Sequence, residues 1–399
     1  MTTAVIVDAV RTAIGARNGR LSGWHPTDLA AEVLAALGLR NDLDPALVDD
    51  VILGCVTQYG DQAMNLARNA VLAAGWPDTV PGVTVDRQDA SSAQAVHFAA
   101  QAVMAGAADV VVAGGVEVTS STPLGTSVTL GTRPFGPRVI ERYAPDGGLV
   151  PQGVAAEAIA ARWSLTRDAL DAYAVGSVAR AANATREGRF RPEIVPVQVR
   201  SRDRETGQLA VRDDHLLVAD EGGWAAAAVD LVDLAELKPA FVPDGVVTAG
   251  NTAPVGDGAA AVLVMSEERA SRLGLRPLAR LHAFATAAVD PLLMLTGGIA
   301  ATSRVLERAK LGIRDVDVVE VDEPFASVAL AWAASHDAEP ARLNPNGGAI
   351  ALGHPLGAAG ARLLTTLVHE LDRGPGRFGL LTMGAAGGLG TALVVERLG

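Results

Sequence analysis

Two positions in the chain place a proton-transfer group where a helix begins. In "VDRQDASSAQAVHFAAQAVMAGAADVVVAGGVEVTSS" Asp89 stands just before small residues and a helical pattern. In "GGAIALGHPLGAAG" His354 is followed by Pro355, which suits a helix start, and is flanked by glycines that let a ligand approach the backbone. A helix start presents unpaired N–H groups and a partial positive charge, able to hold an anion or a developing oxyanion. Two such starts facing each other would make an active site. The dense glycine context favours a functional His354 over one that only caps or packs.

Other chemistry is poorly provided for. The seven histidines are scattered, no two lie four apart on a helix, and Cys55 is the single cysteine, so a metal site or an intramolecular disulfide is not expected. Cys55 lies inside the apolar run "VILGCV" and reads as a buried, inert thiol. "GAAGGLG", from Gly384 to Gly390, leads into a strand where a dinucleotide loop would open a helix, which argues against NAD. Glu117 and Glu323 could assist the chemistry, although acids of a polar network near a dimer interface are the plainer expectation. Arg200, Arg202, Arg204 and Arg212 could meet phosphates, although such a run is more often a solvated face.

The elements that must position these groups follow an α/β pattern. Apolar runs such as "AVIVDAV", "DDVILGCV", "ADVVVAGGV", "AAAVLVMS", "VDVVEVDE", "RFGLLTMG" and "TALVVERL" read as buried strands. Between them "HPTDLAAEVLAALGL", "NLARNAVLAAGW", "QAVHFAAQAVMAGA" and "GARLLTTLVHELDR" carry helical periodicity. From about Thr119 to Val247 glycine, proline and arginine become frequent, and this stretch reads as an inserted loop domain. The turn, helix, strand and glycine pair around Asp89 recur around His354, with Gly387 and Gly388 as the second pair, which suggests a duplicated unit. The expected division is 1–118, 119–247 and 248–399.

Composition narrows the partners. With 399 residues, 33 basic and 45 acidic side chains and a formal charge of −12, the chain is not expected to bind nucleic acid or an anionic membrane without sequence or lipid specificity. No uninterrupted apolar run approaches the roughly 18 residues of a membrane span, and the N-terminus lacks a basic leader, so the cytoplasm is the expected location.

The long signatures "AVIVDAVRTAIGARNGRLSG", "VILGCVTQYGDQAMNLARNAVLAAG", "LKPAFVPDGVVTAGNTAPVGDGAAAVLVMS" and "NPNGGAIALGHPLGAAGAR" resemble those of thiolases, of the acetyl-CoA acetyltransferase and 3-ketoacyl-CoA thiolase type, over nearly the full length. The resemblance implies two βαβαβαββ halves stacked into a five-layered αβαβα core, with a loop domain over the site. It implies a homodimer or homotetramer with "VVVAGGVEV" at the interface, leaves room for a separate partner subunit, and names acyl-CoA or CoA as the ligand. Coenzyme A would be part of the substrate, with no other cofactor and no metal.

The departures from the family pattern fall on its chemistry. Thiolases follow Arg-Gln with a nucleophilic cysteine in Cys-Ser-Ser-Gly, where this chain has Asp89, Ala90, Ser91 and Ser92 after Arg87 and Gln88. The second family cysteine, an acid/base in Cys-x-Gly-Gly-Gly, matches Gly384. The asparagine of Asn-Glu-Ala-Phe matches Asp322 in "DEPF", which ends at Phe325. His354 alone is retained of the four. At the substrate-binding positions, Ala253 and Pro254 stand in the family's Asn-x-Ser-Gly pattern, and Pro151, Gln152 and Gly153 match its His-Met-Gly. Phe325 and Gly388 complete the expected binding set.

These exchanges change the expected reaction. A thioester on cysteine survives long enough to meet a second substrate, whereas an anhydride on aspartate would be lost to water. The expectation is therefore a thiolase-like protein handling acyl-CoA or 3-ketoacyl-CoA thioesters without a covalent cysteine intermediate: C–C cleavage, hydrolysis or decarboxylation, with His354 and helix-end amides stabilising an oxyanion. One alternative is a non-catalytic binding or scaffold subunit. Another is an acetyl-CoA acetyltransferase with unusual catalytic residues. For Asp89 two readings stand, a general base or a plain helix cap stabilising by about 1 kcal/mol.

Overall fold

The computed structural model describes residues 2–129, 133–203, 206, 208–216 and 231–398. Its main element is one continuous, ten-stranded mixed sheet. From one edge its strands run Val318–Val321, Phe378–Ala385, Leu389–Arg397, Ala279–Ala288, Ala4–Arg11, Gly256–Ser266, Val110–Val118, Asp50–Gly54 and Gly82–Val85. The short strand Gly15–Ala16 joins from the side, against Gly256–Ser266. The halves meet where Ala4–Arg11 pairs with Ala279–Ala288 over two residue pairs, Val5 with Arg280 and Ile6 with Ala279.

The duplication is visible in the order of pairing. In the first half Asp50–Gly54 runs parallel to Val110–Val118, which pairs antiparallel with Gly256–Ser266. In the second half Val318–Val321 runs parallel to Phe378–Ala385, which pairs antiparallel with Leu389–Arg397. Each half has one helix leading into its middle strand, Ser91–Met104 and Ala359–Arg373. These two helices pack on each other between the two halves of the sheet, with Ala93, Val96, Leu363, Leu364 and Leu367 fully buried. Pro26–Arg40 and Leu66–Ala73 cover the outside of the first half of the sheet, and Gly297–Ala309 and Ala326–His336 the outside of the second half. The result is the five-layered αβαβα core that the resemblance implied.

The boundary expected at 248 needs correction. The strand Gly256–Ser266 pairs with both Ala4–Arg11 and Val110–Val118, so it belongs to the first half. In the second half the corresponding hairpin closes through Ala386–Gly388. In the first, the same connection spans 119–255 and carries the helices Gln152–Arg162 and Arg167–Arg186.

The strand "VVVAGGVEV" also lies elsewhere than expected. It is paired on both edges and buried throughout the protomer. Its glycines serve close approach, because a Cβ at Gly115 would stand 2.1 Å from the Gly357 carbonyl oxygen in the loop that carries His354. The exposed edge of this half is Gly82–Val85. Among the described residues, no helix is long and apolar enough to cross a membrane.

Candidate functional site

Asp89 sits on a sharp turn between the strand Gly82–Val85 and the helix Ser91–Met104. The Asp86 carboxylate accepts the Gln88 N–H at 2.6 Å, and Gln88 takes a left-handed backbone with φ of 51°. The Ser91 hydroxyl accepts the Arg87 N–H at 2.9 Å and donates to the Gln88 carbonyl at 2.5 Å. This local bonding holds the turn that precedes the helix without Asp89. Ala90 is the N-cap residue, and no side chain caps the helix.

The cap reading of Asp89 is therefore set aside. Its Oδ2 accepts from Gln152 Nε2 at 3.1 Å and from the Ala386 N–H at 3.3 Å, bonds that reach the loop domain and the second-half hairpin. The carboxylate, 1% exposed, faces the interface of the two halves.

His354 comes to the same place from the other side. Its backbone N–H donates to the Pro254 carbonyl at 2.9 Å, and its own carbonyl accepts the Gly256 N–H at 3.2 Å. Its Nε2 lies 3.0 Å from each oxygen of Asp322, which is wholly buried after the strand Val318–Val321. The Asp322 N–H is held by the Thr382 carbonyl at 3.0 Å. This corrects the expectation that His354 is a free oxyanion donor, because its Nε2 proton is already committed to Asp322.

The electrostatics follow from burial. Loss of water raises the Asp89 pKa above the ordinary carboxylate value, and the Asp322 charge adds to this while the His354 charge opposes it. For His354, burial acts to lower the pKa, but the charge and hydrogen bond of Asp322, with the charge of Asp89, outweigh it and leave it raised. The site thus holds a carboxyl inclined to accept a proton and an imidazolium paired with a second carboxylate. Such a set can move a proton onto one atom and off another.

Two buried acids fix the loop that carries His354. Glu117 accepts from the backbone N–H groups of Val56, Thr57 and Gly357 at 2.9–3.1 Å and from Gln62 Nε2 at 2.8 Å. Glu323 accepts from the Tyr173 hydroxyl at 2.7 Å, Ser177 Oγ at 2.9 Å and Asn344 Nδ2 at 2.5 Å. Both act as network acids, and neither bonds to Asp89 or His354. Tyr173, Ser177 and Asn344 escaped sequence reasoning, since their partner lies about 20 to 150 residues away in the chain.

Gly384 contributes no side chain and could accept none. A Cβ there would lie 1.9 Å from the Leu295 carbonyl oxygen. Of the expected binding positions, Gln152 holds Asp89 and lines a cavity of about 600 Å³ together with Ala386, Gly387 and Leu389. Gly388 turns the hairpin with φ of 78° and accepts the Val289 N–H. Ala253, Pro254 and Phe325 are not among the walls of this cavity, and the Pro254 carbonyl holds the His354 backbone instead. Ala253 N–H donates to the Pro324 carbonyl, and Phe325 packs edge-on against Phe241.

Of the arginine run, the structure shows one member away from Asp89 and His354. Arg200 stacks on Trp24 at 3.8 Å from the ring centroid, while Arg204 and the side chain of Arg212 fall outside the described residues. The Cys55 thiol is fully buried, and burial, with the Glu117 and Asp86 charges, pushes its pKa up, which fits an inert thiol.

A duplicated five-layer fold with an acid and a histidine brought together from its two halves defines the class. The family models for "Thiolase, N-terminal domain" and "Thiolase, C-terminal domain" match residues 4–268 and 275–397. The chain is 46% identical to the steroid 3-ketoacyl-CoA thiolase FadA6 of Mycobacterium tuberculosis, over 100% of its own length and 95% of that protein. It is 42% identical to the beta-ketoadipyl-CoA thiolase of Escherichia coli, with both chains covered in full. The crystal structure of the Bacillus anthracis acetyl-CoA acetyltransferase superposes with a TM-score of 0.86 at 38% identity, covering 100% of this chain and 99% of that one. The chain belongs to the thiolase family.

Proposed function

We propose that this thiolase-family protein cleaves, or in reverse forms, a carbon–carbon bond of a 3-hydroxyacyl-CoA by proton transfer, without an acyl-enzyme. The observation that carries the reading is the buried Asp89 carboxylate, held by Gln152 and the Ala386 N–H where it feels the charges of the His354–Asp322 pair. Relatives named as 3-ketoacyl-CoA and beta-ketoadipyl-CoA thiolases support a CoA thioester as the ligand.

In the cleavage direction Asp89 takes the proton of the 3-hydroxyl. The electrons of that O–H bond form the C3 carbonyl, the C2–C3 bond breaks, and its electron pair becomes the thioester enolate. The proton shared by His354 and Asp322 is delivered to C2, giving acetyl-CoA and an aldehyde or ketone. Proton exchange with solvent then resets Asp89 and the pair. No nucleophile and no second CoA enters the balance, which suits a site where both family cysteines are replaced. Decarboxylation fits less well, because a substrate carboxylate would have to sit beside Asp89 and Asp322.

Mass spectrometry of a 3-hydroxyacyl-CoA incubated with the protein tests this. Acetyl-CoA with the shortened carbonyl compound is the expected pair of products. Free CoA with the intact hydroxy acid would identify a hydrolase, and unchanged substrate would leave the fold as a binding or scaffold subunit.

A further inference from the structure

One oxygen of Asp89 gathers bonds from three parts of the chain. Oδ2 itself belongs to the turn of the first half, the Ala386 N–H that it accepts lies in the second-half hairpin, and Gln152 Nε2 comes from the inserted segment. Gln152 is the first residue of the helix Gln152–Arg162, and that helix is well anchored. Ala155, Ala156, Ile159 and Ala160 are fully buried along it. The Ala156 carbonyl accepts from Ser327 Oγ at 3.0 Å, and Glu157 accepts the Val246 and Val247 N–H groups at 2.9 and 3.0 Å. A Cβ at Gly153 would stand 2.1 Å from the Phe241 ring, so the backbone next to Gln152 is pressed against its neighbour. The amide is carried on a fixed element, not on a free loop.

We infer that Gln152 is a positioning residue for the proton transfer: with the Ala386 N–H it engages Oδ2 and keeps Asp89 ionised, which assigns Oδ1 as the atom that takes the proton of the 3-hydroxyl. This rests on the reading of Asp89 as the base. A base must be ionised before it can accept a proton, and at Asp89 burial, the largest influence, favours the neutral acid. The charged groups that face it oppose each other, since His354 favours the carboxylate and Asp322 the acid. On its own turn the Asp86 carboxylate is engaged by the Gln88 N–H, and the charge of Arg87 acts on His97. An N–H donated to a carboxylate favours its ionised form, and Gln152 and Ala386 supply two such donors. Of the two, only Gln152 can be removed by substitution. Glutamine donates without a charge of its own, so it steadies the carboxylate while leaving it more basic than a lysine or arginine partner would.

Infrared difference spectroscopy of the free protein, with Asp89→Asn as the reference, isolates the carboxyl band of Asp89 and follows its titration without any substrate. Gln152→Met keeps the length of the side chain but has no N–H to give, and Gln152→Glu replaces the donor with a second acid. The titration midpoint of Asp89 should rise by about one pH unit in the first variant. It should rise further in the second, where a like charge adds to the lost donor. The acid limb of the rate of 3-hydroxyacyl-CoA cleavage should move with the midpoint, a roughly tenfold loss at a given pH on that limb, with KM and melting temperature close to wild type. A residue that only anchors the inserted segment would lower the melting temperature and leave the midpoint in place. Midpoints that coincide in the wild type and both variants would overturn the inference, and cleavage by the wild type would then leave Asp89 as the base without it. A shifted midpoint in a protein that cleaves no 3-hydroxyacyl-CoA would support the hold of Gln152 on Asp89 and overturn the cleavage reading.

Discussion

The two halves share a path of strands and helices but differ in what stands at the mouth of the central helix and in how the following hairpin closes. In the first half Asp86 and Ser91 hold the turn before the helix, no side chain caps the helix, and Asp89 bonds instead to Gln152 and the Ala386 N–H. In the second, Pro254 and Gly256 hold the His354 backbone and Asp322 takes its ring nitrogen. The second hairpin is tight, with no room for a side chain at Gly384, whereas the first opens into a loop domain whose Gln152 returns to bind Asp89. The backbone of a duplicated fold can thus persist while the reacting groups on it are exchanged, and each mouth must be read by its own contacts.

The sharpest way to break this comparison is Asp89→Asn. An amide keeps the size of the side chain but cannot take the proton, so the rate of C–C cleavage should fall by roughly 10²–10⁴-fold with substrate affinity retained. Steady-state kinetics checks it, and activity close to wild type would return Asp89 to a structural role. Restoring a cysteine in the other half tests the steric side. Gly384→Cys should destabilise by about 1–3 kcal/mol or more, because the new Cβ meets the Leu295 carbonyl, and urea unfolding against wild type would reveal it.

A smaller effect concerns stability and pH. Asp89 has a raised pKa in the folded state, so it binds its proton more tightly folded than unfolded. Its contribution to stability is then greatest at low pH and declines as pH rises from the unfolded value of about 3.9 through the folded one. Asp89→Asn removes that decline. The variant should melt at or above the wild-type temperature at neutral pH, with the gap narrowing in acid; a gap that widens in acid would contradict the raised pKa.

The halves also differ at their outer edges. The second-half edge strand Val318–Val321 is covered, since Asn344 N–H donates to the Val319 carbonyl and Asn344 Oδ1 accepts the Val321 N–H. Among the described residues no strand pairs with the outer side of the first-half edge Gly82–Val85, where Asn65 Nδ2 donates to the Gly82 carbonyl and Val83 is 42% exposed, and an open edge pairs readily with another. A homodimer formed through the first half is expected. Light scattering at micromolar concentration should give twice the mass of the chain or a multiple of it, and Val83→Lys should shift it towards the monomer.

Much of this was legible in the sequence because it depends on local pattern. Strands such as Ala4–Arg11 and Gly256–Ser266 are mostly apolar and buried throughout. Ala279–Ala288 was not recognised, since its "ARLHAFATAA" has few β-branched residues and owes its extended form to pairing with Leu389–Arg397. The helices Gly297–Ala309 and Ala326–His336 were likewise missed, the first opening with two glycines that a helix ordinarily disfavours. At the site, Asp89 and His354 could be singled out by type and position, and Asp322 through the family resemblance. Their contacts could not, because Asp89 meets partners 63 and 297 residues away in the chain and nothing local signals them.

The central claim is that the His354–Asp322 pair exchanges a proton with C2 of a CoA thioester while Asp89 serves the oxygen at C3. Incubation of acetyl-CoA with the protein in D2O, followed by mass spectrometry of its acetyl group, isolates the first of these steps without requiring the full substrate. The account predicts deuterium in the methyl group for the wild type, its loss in His354→Ala, and its retention in Asp89→Asn. Absence of exchange in the wild type, or exchange that survives His354→Ala, would contradict it.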